Sequence, residues 1–293
     1  MQLFNTVEEI QKYFKINGTQ KLSSLEGFER DALEKYVHRY TGEALLLELI
    51  EWYNAETAVV NEAFSSLLPF VQAATIKFAY YLGSPTLDLQ ISESGFGVLS
   101  TANLAPASKE RVATFRASIQ TSAWDSIEAL LKFLEKNKSE YENWTNSSAY
   151  TIQTGLFINT AEEFNKHVNI NDSVLKYLEL KQSIEDVELL EIYPIITKEL
   201  AVRIKEEIKK EEISESTQNI VTYIRKATAN LTAFNYGMGD KYETTGLHYI
   251  MEVKRIMDAM PSDYPEYSVQ IAKQISYQKI ENTQESGIYI FGG

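Results

Sequence analysis

The stretch Asn5-Thr6-Val7-Glu8-Glu9-Ile10-Gln11-Lys12-Tyr13-Phe14-Lys15-Ile16-Asn17 returns, little altered, as Asn159-Thr160-Ala161-Glu162-Glu163-Phe164-Asn165-Lys166-His167-Val168-Asn169-Ile170-Asn171. Asn, Thr, both Glu, Lys, Ile and the final Asn recur in place, where average residue usage gives roughly one match by chance. Ile10/Phe164 and Phe14/Val168 stay apolar. The pattern is also a helix start. Thr6 stands at an N-cap with Glu9 three residues on, and Thr160 with Glu163 repeats that reciprocal capping box. Each short helix is expected to end near Ile16 and Ile170.

Similarity continues outward from this block. Glu29, Leu33, Thr41 and Glu43 fall opposite Glu185, Leu189, Thr197 and Glu199, and Phe70-Val71-Gln72-Ala73-Ala74-Thr75 resembles Tyr223-Ile224-Arg225-Lys226-Ala227-Thr228. Three blocks in one order predict a duplicated module. Apolar residues at helical spacing predict helices over Leu22–Tyr40 and Gly42–Tyr53, with counterparts over Val174–Tyr193 and Pro194–Ile213. Pro194 suits the first turn of a helix. Ala58–Leu82, stopped at Gly83-Ser84-Pro85, pairs with Ser216–Tyr236, stopped at Gly237-Met238-Gly239. Pro106–Lys138 and Lys241–Met260 close the two modules.

Two segments depart from this helical theme. Leu87, Leu89 and Ile91 alternate with polar residues, Ser92-Glu93-Ser94-Gly95 turns, and Phe96-Gly97-Val98-Leu99 returns, which predicts a β-hairpin. The end of the chain is strand-like at Val269-Gln270-Ile271, Ile275-Ser276-Tyr277 and Ile288-Tyr289-Ile290-Phe291. Asn143-Trp144-Thr145-Asn146-Ser147-Ser148 reads as a polar connector between copies. The expected fold is therefore mainly α, with two tandem diverged helical-bundle modules. Residues 1–145 form the first, with the hairpin at 87–99, residues 150–265 the second, and 266–293 an extended or β tail.

Composition narrows the function. The 293 residues carry a net charge of -13 and a pI near 4.9, so acids outnumber the Lys and Arg that a tight grip on a phosphate backbone needs. Repulsive walls would still let DNA slide past. There is no cysteine, which removes disulfides, thiolate nucleophiles and Cys-ligated metals. His38, His167 and His248 fall on different predicted helices, so no His cluster is expected. The first residues, Met1 to Thr6, lack the basic and apolar regions of a signal peptide, and no apolar run approaches the ~20 residues of a membrane span. Synthesis in the cytoplasm, with no membrane partner, is the expectation.

Catalytic motifs do not emerge from the spacing. Gly95-Phe96-Gly97 lacks the third glycine and the Lys-Ser/Thr of a phosphate loop, and there is no G-x-S-x-G, H-E-x-x-H or EF-hand pattern. Asp31 with Glu34, and Glu185 with Glu188, have spacings compatible with a divalent cation, yet solvated helix faces outnumber such sites heavily. No catalytic residue, cofactor or metal is expected, and the chain reads as a non-enzyme. A short hairpin is marginal in water alone, and an apolar cluster near a terminus invites cover. Leu87, Leu89, Ile91, Phe96, Val98, Ile288, Tyr289, Ile290 and Phe291 are therefore the expected partner-binding residues, with strand addition to another subunit as the expected mode.

Pro106-Ala107-Ser108-Lys109-Glu110-Arg111-Val112, and the run from Ala129-Leu130-Leu131-Lys132-Phe133-Leu134-Glu135-Lys136-Asn137-Lys138 to Trp144, resemble an uncharacterised family from phages and prophages of Bacteroidota gut bacteria, crAss-like phages included. Ile91-Ser92-Glu93-Ser94-Gly95 is similar to that family's hairpin, and Ile158 to Phe164 to its repeat start. The helix pair from Phe28 to Leu49 resembles the small helical modules of tailed-phage connectors, which are usually shorter and single. The resemblance implies a structural virion protein, a head–tail connector or adaptor ringing the portal vertex. Implied partners are further copies of itself in a cyclic homo-oligomer, the portal protein, a tail or second ring protein, and DNA passing through the channel without sequence-specific binding. Localisation would be the virion, after assembly in the host cytoplasm. A tail or tail-completion protein is the alternative, followed by an enzyme whose site only the fold would assemble.

Overall fold

Thr6 caps the first helix as the sequence predicts. The structure is a computed structural model that describes residues 2–13, 22–55, 60–85, 89–92, 95–98, 108–151, 155–210 and 212–269. In it the Thr6 hydroxyl accepts from Glu9 N at 3.3 Å, and the Glu9 carboxylate accepts from Thr6 N at 3.2 Å. The molecule is mostly helical and divides into two compact units, Met1–Ile152 and Gln153–Gly293.

In the first unit, α1 (Val7–Gln11) is followed by α2 (Glu26–Ala32), a π turn (Leu33–Val37) and α3 (His38–Thr41). The chain then breaks at Gly42 and resumes as α4 (Glu43–Tyr53). A long helical hairpin closes the unit, α5 (Glu62–Gly83) packing along α6 (Lys109–Lys136). Between its arms, β1 (Leu89–Ser92) pairs antiparallel with β2 (Gly95–Val98), Ile91 opposite Phe96. The core holds Leu3, Phe4, Val37, Leu49, Val71 and Ile127 with almost no exposure. Tyr36 stacks on Phe78 at a centroid distance of 4.0 Å, and Trp124 meets both rings edge-on.

Asn143–Ser148 is not a connector. Trp144, in α7 (Glu142–Thr145), is fully buried and donates its indole N–H to Tyr40 O at 2.9 Å, with α8 (Ser148–Thr151) following. Burial of a large indole outweighs the polarity of its neighbours, so the first unit extends to Ile152 rather than ending at residue 145.

The second unit repeats the order: α9 (Ala161–Asn165), α10 (Val174–Val187), a π turn (Glu188–Ile192), α11 (Tyr193–Ile196), α12 (Lys198–Lys210), and the helical hairpin α13 (Glu215–Asn235) with α14 (Lys241–Ala259). Its hairpin is tight, with Gly237 and Gly239 at positive φ. Two boundaries differ from the sequence reading. α9 stops at Asn165, because the Asn165 carboxamide oxygen accepts from Ile170 N at 2.8 Å and Asp172 N at 3.3 Å, curling the chain through left-handed Asn171 and Asp172. Pro194 does not open α12. It lies in α11, where the preceding π turn, with Tyr193 N bonded to Glu188 O, supplies a wider turn for a ring without an N–H. The break falls at Thr197.

Candidate functional site

The most constrained polar groups in each unit surround one backbone residue ahead of the short capped helix. In the first unit, Leu3 N donates to Glu29 Oε1 at 2.6 Å, and Leu3 O accepts from Gln72 Nε2. Tyr13 completes the arrangement by donating its hydroxyl to Gln72 Oε1 at 2.7 Å. In the second unit, Phe157 N donates to Glu188 Oε1 at 2.7 Å, and Phe157 O accepts from Arg225 Nε at 2.9 Å. A residue buried against helices and outside any helix cannot leave its N–H and C=O unpaired, and each unit answers with one carboxylate and one donor.

The chemistry of the two clamps differs. Glu188 is ion-paired with Lys205, whose ammonium also accepts cover from the Phe157 and Tyr193 rings at 4.9 and 5.1 Å from their centroids. Burial pushes the Glu188 carboxyl up and Lys205 pulls it down, while Lys205 itself is held above the ordinary ammonium range by Glu188 and Tyr193 against its own burial. Glu29 pairs with no cation among the described residues, and burial pushes its carboxyl up to about 7. Arg225 also reaches the Glu163 carboxylate, which therefore does not make the reciprocal capping bond expected of it. Where the first unit has neutral Gln72, Glu9 is left to accept from Thr6 N, Asn5 N and the Tyr53 hydroxyl.

These carboxylates are occupied by their own backbone and do not converge on open space. Asp31 pairs with Lys35 and Glu185 with Lys181, and among the described residues there is no group of three or more His, Asp or Glu placed to hold a metal. His38 lines a cleft of about 400 Å³ with Arg39, Gly42, Glu43, Asn143 and Ser148, His167 lies just past α9, and His248 sits in α14.

The break before α4 and α12 is built alike and finished differently. Gly42 (φ 74, ψ 157) and Thr197 (φ 76, ψ 153) share a backbone conformation that side chains rarely adopt. Thr197 holds it while its hydroxyl caps Leu200 N at 3.2 Å. At Gly42 a Cβ would stand 2.7 Å from Ser147 Cβ, so only glycine fits.

Residues 37–154 match a family of unknown function (DUF6712). Comparison with curated proteins and with solved structures gives no match. The match to DUF6712 starts at the last residue of the first π turn and runs to the end of the first unit. It takes in the cleft, Gln72, the α5–α6 hairpin and the two strands, and stops short of the second clamp.

The outer surfaces of the two units differ as well. The exposed pair Glu34 and Lys35 follows the first residue of the first π turn, whereas Leu189 and Leu190 follow that of the second, 60% and 66% exposed. Leu247 and Met251 on α14 are also exposed. Of the nine residues expected to bind partners, Leu89, Ile91, Phe96 and Val98 lie in β1 and β2, while Leu87, Ile288, Tyr289, Ile290 and Phe291 fall outside the described residues. Sequence reading set Leu189 opposite Leu33, which is buried, and so did not anticipate the exposed Leu189–Leu190 pair. It also missed Glu29 and Gln72 as partners of one backbone residue, since no local signal links positions so far apart. Among the described residues no helix is long and apolar enough to cross a membrane.

Proposed function

We propose that this chain is a structural assembly protein, a head–tail connector of a tailed phage that forms a cyclic homo-oligomer at the portal vertex. The observation that carries the reading is a module built twice around the same backbone clamp, with its buried polar groups committed to its own main chain and its outer faces diverged. A closed ring needs two different faces on each subunit, and a duplicated module whose copies present Glu34-Lys35 in one and Leu189-Leu190 in the other supplies them. Resemblance to phage connector modules and the net charge of -13, suited to a surface along which DNA slides, support the same reading.

Residues 265–269 are helical and Tyr267 is buried in the second unit's core, so the tail of this reading does not begin at 266 as expected, and its residues 270–293 lie outside the described ones. In this reading that end of the chain and the hairpin at 87–99 engage the portal and a tail or second ring protein. A density map of the assembled particle tests it. The expected result is a closed ring of this chain on the portal axis with an acidic lumen; one or two copies off the axis would remove the connector reading. Leu189→Glu together with Leu190→Glu should leave thermal melting unchanged and reduce incorporation at least tenfold. Normal incorporation of that variant would show that the exposed leucines are not the ring contact.

A further inference from the structure

The two clamps hold equivalent backbone residues with carboxylates in opposite electrostatic settings. Glu188 faces Lys205 from α12, Tyr193 from α11 and Glu185 from its own helix, and Arg225 from α13 takes the neighbouring carbonyl. Glu29 faces Glu26 on its own helix, the amino group that begins the chain, and Tyr53 from α4, which in turn bonds Glu9 of the docked segment. From α5 it meets the neutral carboxamide of Gln72 beside it on Leu3. The segment so held carries Leu3, Phe4 and Ile10 into the core, all at 1% exposure or less.

We infer that residues 2–13 form a pH-sensitive strap, latched on the first unit by the buried Glu29 carboxyl, which has no side-chain cation paired with it among the described residues, while the equivalent segment of the second unit is locked by Lys205. A carboxyl buried without an ion-pair partner is costly when ionised, and undocking the strap returns Glu29 to water. Because Glu29 sits near 7 when docked, against 4.5 ordinarily, the docked strap binds a proton more tightly than the free one. Docking is therefore firmest below about pH 4.5 and weakens as pH rises through about 7, the window in which the docked carboxyl loses its proton. Glu188 has the Lys205 ammonium beside it, which pulls its carboxyl down against the same burial. The strap opens Leu3 and Phe4 to a partner only on the alkaline side.

Amide hydrogen exchange of the full chain, corrected for intrinsic exchange chemistry, tests this on peptides covering 2–13 and 156–168. Protection of 2–13 should fall about thirtyfold between about pH 5.5 and 8.5 by linkage, while protection of 156–168 shows no comparable fall. Glu29→Gln, which keeps an acceptor for Leu3 N without a titrating group, should abolish the fall. Lys205→Met should install a comparable fall in 156–168. A flat wild-type profile, a parallel fall in both peptides, or persistence of the fall in Glu29→Gln each overturns the strap. Should Glu29→Gln not fold, the contrast between the two wild-type peptides and the Lys205→Met variant still decides.

Discussion

Gln72 and Arg225 hold the same backbone oxygen in two different units: Gln72 Nε2 reaches Leu3 O at 2.5 Å and Arg225 Nε reaches Phe157 O at 2.9 Å. One is neutral and the other charged, and that difference propagates to the nearby carboxylates. Arg225 draws Glu163 away from its cap, whereas Gln72 leaves Glu9 on its own.

Removing these donors should expose their value separately. Gln72→Leu leaves Leu3 O and the Tyr13 hydroxyl without partners in a buried site, a loss of about 1–3 kcal/mol. Trp52, Trp124 and Trp144 all lie in the first unit, so the urea midpoint followed by tryptophan fluorescence reads it. Arg225→Leu should cost a similar amount in the second unit, seen by far-UV circular dichroism. An unmoved fluorescence midpoint in Gln72→Leu would contradict the clamp.

Gly42 and Thr197 predict opposite responses at one backbone conformation. Gly42→Ala meets both an unfavourable φ and Ser147 Cβ, and should destabilise by about 2–4 kcal/mol. Thr197→Gly relieves strain while losing the cap on Leu200, and should change stability by less than about 1 kcal/mol. Thr197→Ala keeps the strain and loses the cap, a cost of about 1 kcal/mol. Denaturant melts of the three variants rank them directly.

The second unit's helical hairpin depends on a close approach. A Cβ at Gly246 would lie 2.6 Å from Leu231 Cγ and 3.2 Å from Leu231 N, so Gly246→Ala should cost about 1–3 kcal/mol by overpacking. Leu231→Ala removes the nearest atoms, and the double variant should recover part of the loss. A double-mutant cycle showing strict additivity would place the strain elsewhere.

Acid should act on the second unit through His167. Its burial, and then Lys226, Arg225 and Lys166, hold the imidazole below its ordinary value of 6.5. A base with a depressed folded pKa contributes stability above its unfolded pKa, and that contribution is lost as pH falls through the folded value. Stability of the second unit should therefore decline below about pH 6.5, and His167→Gln should flatten that decline in circular-dichroism melts between pH 7 and 5. Titration of His167 by nuclear magnetic resonance, giving a midpoint at or above 6.5, would rule this out.

Sequence by itself determined the helical order of both units, the Thr6 and Thr160 caps, and the register of the first and third repeated blocks. Val71 and Ile224, Ala74 and Ala227, and Thr75 and Thr228 are all fully buried in matching positions. Such features are local: a cap is set by three residues, and a helix face by its own periodicity. The middle block was one residue out of register, because amphipathic helices generate identities at several offsets. Tertiary structure fixed it, setting Gly42 against Thr197 and Leu33 against Glu188 through matched π turns and matched positive φ. Only the fold decided that Glu29 and Glu188, which no alignment of the blocks pairs, do the same work. A carboxylate buried beside a distant N–H is specified by where two segments meet, and what tunes it, Lys205 in one unit and no cation among the described residues in the other, belongs to a third segment again.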